Sequence, residues 1–427
     1  MIIRLSNMLG LFSSKYYTAL PRKFLRAFIF EFVFLYERFP NKKMTRILVT
    51  SVLLIAVFSC NQKEKDQVSE SNKNADPDGY KIIAYVHGGD SDWGSNDELA
   101  SKVTHINYAF ANVIDGKVVL GNEADPANLE RLNQLKLVNP ALQILISVGG
   151  WSWSGNFSDA VLTETSRNIF ANSAIDFMLK YNLDGVDLDW EYPGQIGNGN
   201  VFRPEDKENF TAILKLIREK LDSVSNEKHY LLTIATGANQ NYLDNTDLAT
   251  AQKYLDFINI MTYDFHGAWA PNTGHHANLF YSEHDQNGYK RSVSAAVDEH
   301  MAAGIPKEKL VLGLPFYGRY WTGVENEGTN GLYQTSTGEG GGYSYNKLER
   351  ELIDQQGYKR FWDESAKVPY LWNAEKKEFV TYDDPKSFKI KIDYLQEKGL
   401  SGVMFWQYTG DSDKHTLLNV LYDNLKE

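Results

Sequence analysis

Eight short apolar runs, each closed by turn residues and separated by helical patterns, constrain this chain more than any other feature. They are Ile82–Val86, Ile106–Ala111, Ile144–Val148, Val186–Trp190, Leu231–Ala235, Ile258–Tyr263, Leu310–Leu314 and Val403–Trp406. Continuous apolar runs of this length read as parallel strands covered on both faces. Helical spacing links them. Phe170, Ala174, Phe177, Met178 and Tyr181 precede the fourth run, Phe210, Ile213, Leu214, Ile217 and Leu221 follow it, and Phe388, Ile392 and Leu395 lead into the eighth. The repeated alternation predicts the α/β class, as a (β/α)8 TIM barrel. One link is out of proportion: roughly ninety residues separate the seventh run from the eighth, where a crossover needs far fewer. The excess is rich in Gly and aromatics, with hairpin material at Tyr358–Trp362, Pro369–Trp372 and Glu378–Tyr382. We read 80–320 and 383–427 as the barrel and 321–382 as a small α+β insertion. Loops at the C-terminal ends of barrel strands build the active site, so an insertion there should wall a groove.

The fourth run carries an expensive pattern. In Asp184-Gly-Val-Asp-Leu-Asp-Trp-Glu-Tyr-Pro-Gly194, three acids, Asp187, Asp189 and Glu191, alternate with Val186, Leu188 and Trp190. On a strand they share one face, each about 6.6 Å from the next. A half-buried antiparallel strand with a solvated acidic face would show the same alternation. Against that, no Lys, Thr or Ser interrupts the acidic row, and like charges stacked this way repel. Inside a covered sheet such carboxyls are costly, and a cost of that kind marks a site.

Composition narrows the partners. A net charge of −11 excludes a phosphate-tracking surface, so no nucleic-acid partner is expected. The single cysteine permits neither an intrachain disulfide nor a Cys-based metal cluster. Twenty-five Tyr and nine Trp suit a protein that stacks on flat apolar faces such as sugar rings, or an aromatic-rich core.

The first sixty residues differ in kind. Lys42 and Lys43 precede Met44; an apolar stretch from Ile47 to Phe58 ends in Ser59-Cys60, and a polar run follows from Asn61. A basic start, an apolar segment short for a membrane span and small residues at its end make a secretory signal. Ending on Cys60, it resembles a bacterial lipoprotein signal, which implies lipidation of Cys60 and export to the cell envelope on a lipid anchor, with plain secretion as the alternative. We divide this region into an upstream extension (1–43), the signal (44–60) and a polar tether (61–79).

Polar and aromatic residues gather where the runs end: Ser147-Val-Gly149-Gly150-Trp151, Met261-Thr-Tyr263-Asp264-Phe-His266-Gly-Ala-Trp269, Pro315-Phe-Tyr317-Gly-Arg319 and Trp406-Gln-Tyr408. Each alone has a packing explanation. Together, at one end of consecutive strands, they describe a site. His266 beside Asp264 could be taken for a metal ligand, but nothing else supplies ligand spacing, so we read it as structural.

From about Tyr80 to Tyr422 the chain resembles chitinases of glycoside hydrolase family 18, in the bacterial branch with an insertion domain. The acidic stretch matches the family's Asp-Gly-x-Asp-x-Asp-x-Glu signature, and Ser147–Gly150 matches its second. The resemblance implies an endo-acting chitinase that cleaves β-1,4-linked N-acetylglucosamine polymers with retention, without cofactor or metal, as a monomer. Glycosidases of this family depart from the two-carboxylate rule. By resemblance, Glu191 is the general acid and later the base, and the substrate's own acetamido oxygen is the nucleophile. Asp189 orients the acetamide N–H, Asp187 shares a proton with Asp189, and Tyr263 holds the acetamido oxygen. Repulsion from neighbouring carboxylates is expected to raise the pKa of Glu191. Asp264 supports the distorted sugar, Trp406 floors it, and Trp151 and Trp269 stack on the next sugar. Met261, Gly149, Gly150, Tyr192, Tyr85, Tyr317 and Arg319 line the groove by family position, with Asn122 and Glu123 on the loop after the second strand. Two rivals share the barrel. An endo-β-N-acetylglucosaminidase acting on glycans would usually lack Trp190 and the insertion, and a non-catalytic surface lectin would lack Glu191; this chain has all three.

Overall fold

The structure, a computed structural model, describes residues 79–89, 93, 97–225, 228–285 and 290–426. The signal, Cys60 and all but the last residue of the tether lie outside the described residues.

All eight expected strands are present: β1 (Lys81–His87), β2 (His105–Ile114), β4 (Gln143–Gly149), β5 (Gly185–Asp189), β6 (Leu231–Gly237), β7 (Phe257–Met261), β8 (Leu310–Pro315) and β14 (Gly402–Trp406). They pair in parallel in that order, and β14 returns to β1 to close the barrel. A short strand not foreseen, β3 (Lys117–Leu120), folds back antiparallel on β2 as a hairpin. Inside the barrel Ile83, Tyr85, Ala109, Phe257, Val311 and Met404 form one apolar cluster. A larger layer outside the strands packs them against the helices.

Local chemistry sets the helices. In α1 (Glu164–Lys180) the Thr163 hydroxyl accepts the Ser166 N–H at 3.1 Å while Ser166 Oγ accepts the Thr163 N–H at 3.0 Å, a reciprocal cap. Helix α2 (Asp206–Val224) buries Phe210, Ile213, Leu214, Ile217 and Leu221, the residues whose spacing marked it. Each such burial is worth about 1.5–3 kcal/mol. A shorter helix, α3 (Val293–Ala302), precedes β8. Helix α4 (Pro385–Lys398) starts from the Asp384–Ser387 capping box with Pro385 in its first turn, and Gly399 ends it at φ +71°. Helix α5 (Thr416–Leu425) closes the chain.

The long link between β8 and β14 builds a second, antiparallel sheet. Its strands are β9 (Tyr317–Trp321), β10 (Gly340–Ser344), β11 (Lys359–Asp363), β12 (Val368–Asn373) and β13 (Glu378–Thr381), in the order β10-β9-β13-β12-β11. The three expected hairpin strands are there, but the sheet begins at Tyr317, four residues before the boundary read from sequence. Only Phe316, stacked on Phe405 at 4.2 Å, separates β8 from β9. One continuous segment therefore carries barrel, rim and second sheet.

Candidate active site

Strand β5 ends sooner than its alternation suggests. Asp189, opposite Gly149, is its last paired residue, so Glu191 lies beyond the sheet. Glu191 is fixed instead by its backbone: its N–H donates to Ser154 Oγ at 2.9 Å, and that hydroxyl donates to Gly150 O at 2.9 Å. Gly149 permits the approach. Its φ is +103°, and a Cβ there would stand 2.6 Å from the Asp189 carbonyl oxygen. The intervening Trp190 points the other way and stacks on Phe157 at 5.3 Å. Asp184, first in the acidic stretch, serves the opposite end of the strand, where it accepts the Ile144 N–H and pairs with Lys136 and Lys228.

The remaining three acids have unequal surroundings. Asp187 Oδ2 accepts the hydroxyls of Tyr85 (2.8 Å) and Ser147 (2.7 Å), and its Oδ1 accepts that of Thr233 (2.5 Å). Asp189 is also buried, but its Oδ1 has no hydrogen-bond partner among the described residues. Burial first, then the charges of Glu191 and Asp187, push the Asp189 carboxyl well above the usual range. Glu191, 7% exposed, is raised to about 7. The main cause is burial, which hydrogen bonding to Tyr192 opposes and the charge of Asp264 reinforces. Desolvation therefore leads where repulsion within the acidic row was expected to; the mutual repulsion of Asp189 and Glu191 adds to it, and so does the charge of Asp264 from across the cavity.

That charge sits on the rim. Asp264, just past β7, accepts Arg319 Nε and Nη2 at 2.8 and 2.7 Å, a bidentate pair with β9. Burial tends to raise its pKa, yet His276 and Arg319 outweigh that and hold the carboxyl below the ordinary range. The Arg319 guanidinium also lies over the rings of Trp269 (5.3 Å) and Tyr317 (5.1 Å). Tyr263 meets Tyr317 edge-on at 6.2 Å, and burial leads the effects that keep its phenol protonated. On the other side Trp406 stacks on Phe110 at 5.5 Å and leans on Tyr85 at 5.7 Å.

These groups line one cavity of about 1150 Å³. Of the residues expected at the site, Tyr85, Asn122, Gly149, Trp151, Asp189, Glu191, Tyr192, Met261, Tyr263, Asp264, Trp269, Tyr317, Arg319 and Trp406 line it. Trp151 and Trp269 stand 52% and 64% exposed, free to cover a ligand. Asp187 lies beneath, behind its three hydroxyls. Two expectations fall outside. Glu123 is exposed to solvent on the link after β3, where Asp125 Oδ2 accepts the Gly121 and Asn122 N–H groups and Asn122 alone reaches the cavity. Gly150 is buried under the Phe110 ring rather than open to the cavity. His266 is buried away from the lining, its Nδ1 3.0 Å from the His275 carbonyl oxygen. Sequence reasoning missed Ser154, Thr233, Phe110 and His276; of these only Ser154 carried a signal, three residues after Trp151 in Trp151-Ser-Trp-Ser154.

Comparison with known proteins gives three kinds of match. The family model for glycosyl hydrolases family 18 matches residues 81–411. Chitinase A1 of Niallia circulans is 43% identical over 415 residues, 82% of this chain and 59% of that protein, so the chain spans little more than half of it. Chitinase B of Serratia marcescens is 33% identical over 391 residues, covering 75% of this chain and 76% of the relative. Among solved structures, a glycoside hydrolase family 18 N-acetylglucosaminidase from Paenibacillus barengoltzii is 44% identical, with a TM-score of 0.76 over 81% of this chain and 100% of that one.

Proposed function

The chain belongs to glycosyl hydrolases family 18, and from that premise we propose that it cleaves β-1,4 linkages of chitin and its oligomers by a retaining, substrate-assisted reaction. One observation carries the reading: a buried glutamate of the cavity lining, Glu191, held protonated up to about pH 7, beside an aspartate with one oxygen that has no hydrogen-bond partner among the described residues.

The sugar at the cleavage point rests on Trp406, backed by Phe110. Its acetamide N–H donates to Asp189 Oδ1, satisfying the buried acceptor, while the Tyr263 hydroxyl donates to the acetamido carbonyl oxygen. Held this way, that oxygen attacks the anomeric carbon as Glu191 gives its proton to the departing glycosidic oxygen. The C–O bond breaks, and a cyclic oxazolinium forms with its positive charge next to Asp189. Water then attacks the same carbon and yields its proton to Glu191, which restores the acid and the original configuration. Asp187, fed by three hydroxyls, takes part in sharing the proton of the acidic row, so the row never carries three full charges. Asp264, ionised against Arg319, supports the distorted ring and keeps Glu191 protonated.

The test is hydrolysis of N-acetylglucosamine hexamer with anomer detection. The β-anomer should appear first, and hexamers lacking the acetyl groups should survive. Inverted product, or equal turnover of the deacetylated chain, sinks the mechanism. The likeness to an N-acetylglucosaminidase supports a second reading, exo-attack, in which the same digest releases monomer in place of dimer and longer products.

We further propose export as a monomer anchored at the cell envelope through lipid on Cys60. The reading is supported by the apolar stretch ending in Ser59-Cys60 and the polar run after it. A palmitate analogue should label the wild type and not Cys60→Ala; label surviving that change rules the anchor out.

A further inference from the structure

Behind Asp264 lies a histidine that the reaction above does not use. The His276 side chain is fully buried, with Nδ1 3.8 Å from Asp264 Oδ1 and its ring edge-on to Tyr317 at 5.4 Å. Its backbone N–H donates to Thr381 Oγ1 in β13 at 3.1 Å, tying the loop to the second sheet. Neither ring nitrogen has a hydrogen-bond partner among the described residues. The charge of Asp383 also acts on the ring. Asp383 pairs with Lys391 of α4 at 2.6 Å, both side chains fully buried, and its Oδ1 too is without a hydrogen-bond partner. The imidazole thus feels two carboxylates that each hold a cation: Asp264, paired with Arg319 on the cavity wall, and Asp383, paired with Lys391 of a barrel helix.

We propose that His276 is a positioning residue: its buried ring, against Asp264 and tied through its backbone to the second sheet, fixes the orientation and charge of Asp264 during the sugar-cleaving reaction. The inference rests on the chitinase reading and extends it. The bidentate guanidinium already sets the plane of the carboxylate; the buried ring backs Oδ1 at 3.8 Å and keeps the pair from swinging as a unit. A neutral imidazole has one N–H and can favour only one of the two acids, whereas a protonated ring attracts both.

The groups facing the ring decide when it titrates. They are Asp264 past β7, Tyr317 and Arg319 of β9, Asp383 backed by Lys391, and His266 and His275 on its own loop. His275 is itself paired with Asp363 of β11 at 3.1 Å. Burial outweighs the two acids and lowers the His276 pKa, so the ring is neutral at neutral pH and gains its proton on the acid side. There it competes with Arg319 for Asp264.

Replacing the ring by an uncharged side chain tests this. In His276→Asn, kcat on N-acetylglucosamine hexamer should fall about tenfold with KM within about twofold, as expected for lost positioning. The acid-side decline of kcat/KM should be less steep by one proton. Unchanged kcat and an unchanged acid limb overturn the proposal. So does a lower Tm with the folded fraction keeping the wild-type pH profile, which is a purely structural role. Should the variant not fold, imidazole 15N NMR of the full chain carrying Glu191→Gln replaces it: the His276 signals should shift when the hexamer binds, and signals that stay put on binding overturn the proposal. Wild-type turnover of the hexamer, measured alongside, tests the chitinase reading separately.

Discussion

Two acidic regions face the same cavity and are treated in opposite ways. On the barrel side, the row from β5 is surrounded by hydroxyls and apolar walls, and Asp187, Asp189 and Glu191 are all pushed toward the protonated form, with burial the leading cause. On the rim, Asp264 feels the same burial but meets a guanidinium and stays ionised. Neutral donors do not compensate a buried carboxylate as a fixed cation does. In the proposed reaction the difference divides labour: the barrel stores a proton to give away, and the rim supplies a permanent charge that helps keep the proton in store. Because Arg319 comes from β9, the second sheet is part of the acid–base apparatus as well as a wall.

Removing the stored proton breaks the comparison most completely. Glu191→Gln should lower kcat about 10²–10⁴-fold while hexamer binding is retained, since amide and acid have the same shape. The stability sign can be worked out. The folded pKa of about 7 lies above the ordinary value of 4.5, so the stability this carboxyl contributes is fully present below the unfolded value and is lost as pH rises through about 7. The variant lacks that loss and should be the more stable form at pH 8, by at most about 3 kcal/mol. The wild-type kcat/KM should also decline as pH rises through about 7. Chemical denaturation at pH 5 and pH 8 with a pH–rate profile checks both; a variant equally destabilised at each pH contradicts the buried-acid account.

Next in size is removal of the rim's cation. Arg319→Ala should reduce kcat/KM about 10²-fold, the scale of a lost charge-assisted hydrogen bond of about 2–3 kcal/mol. Both side chains are about a quarter to a third exposed, so water takes up part of the cost in stability. Without the guanidinium, His276 alone opposes the burial of Asp264 and its pKa rises, so the acid limb of kcat/KM should move to higher pH. An unmoved limb would mean that Asp264 need not be ionised.

A smaller effect is expected where neither region's charge is touched. Trp406→Ala removes a ring supported by Phe110 and Tyr85 and should cost about 1–2 kcal/mol, roughly 5- to 30-fold in kcat/KM. Trp406→Phe should recover most of it. A pH profile displaced along with the rate would make Trp406 part of the electrostatics rather than a platform.

What could be read in advance follows the same division. The eight strands were legible because parallel strands covered on both faces need unbroken apolar runs, and the acids were legible because three alternating carboxyls are costly inside such a covered sheet. The end of β5 was not, since the apolar period continues through Trp190 although pairing stops at Asp189. Nor was the start of the second sheet, because Tyr317–Trp321 follows the seventh run almost without a break. The partners that set charge were the hardest: Thr233 meets Asp187 from 46 residues away, and Arg319 meets Asp264 from 55. Such contacts follow from barrel closure and have no local pattern. The source of the Glu191 shift was misread for that reason; neighbours in sequence are visible, while depth in a cavity is not.

Ser154 gives the smallest and sharpest test, because it joins the two kinds of information. It lies three residues past the strand-end segment that the sequence marks as part of the site, yet it acts on Glu191, 37 residues on. Its hydroxyl accepts the Glu191 N–H and donates to Gly150 O, so Ser154→Ala leaves a buried N–H unpaired at the residue that must aim the proton. The loss should be about 1 kcal/mol, roughly fivefold in kcat with KM little changed. The basic limb should stay near pH 7, since burial, which the hydroxyl does not alter, sets that value. If the limb moves while kcat holds, the hydroxyl tunes the acid rather than aiming it, and the barrel side of the cavity would depend on hydrogen bonding as the rim does.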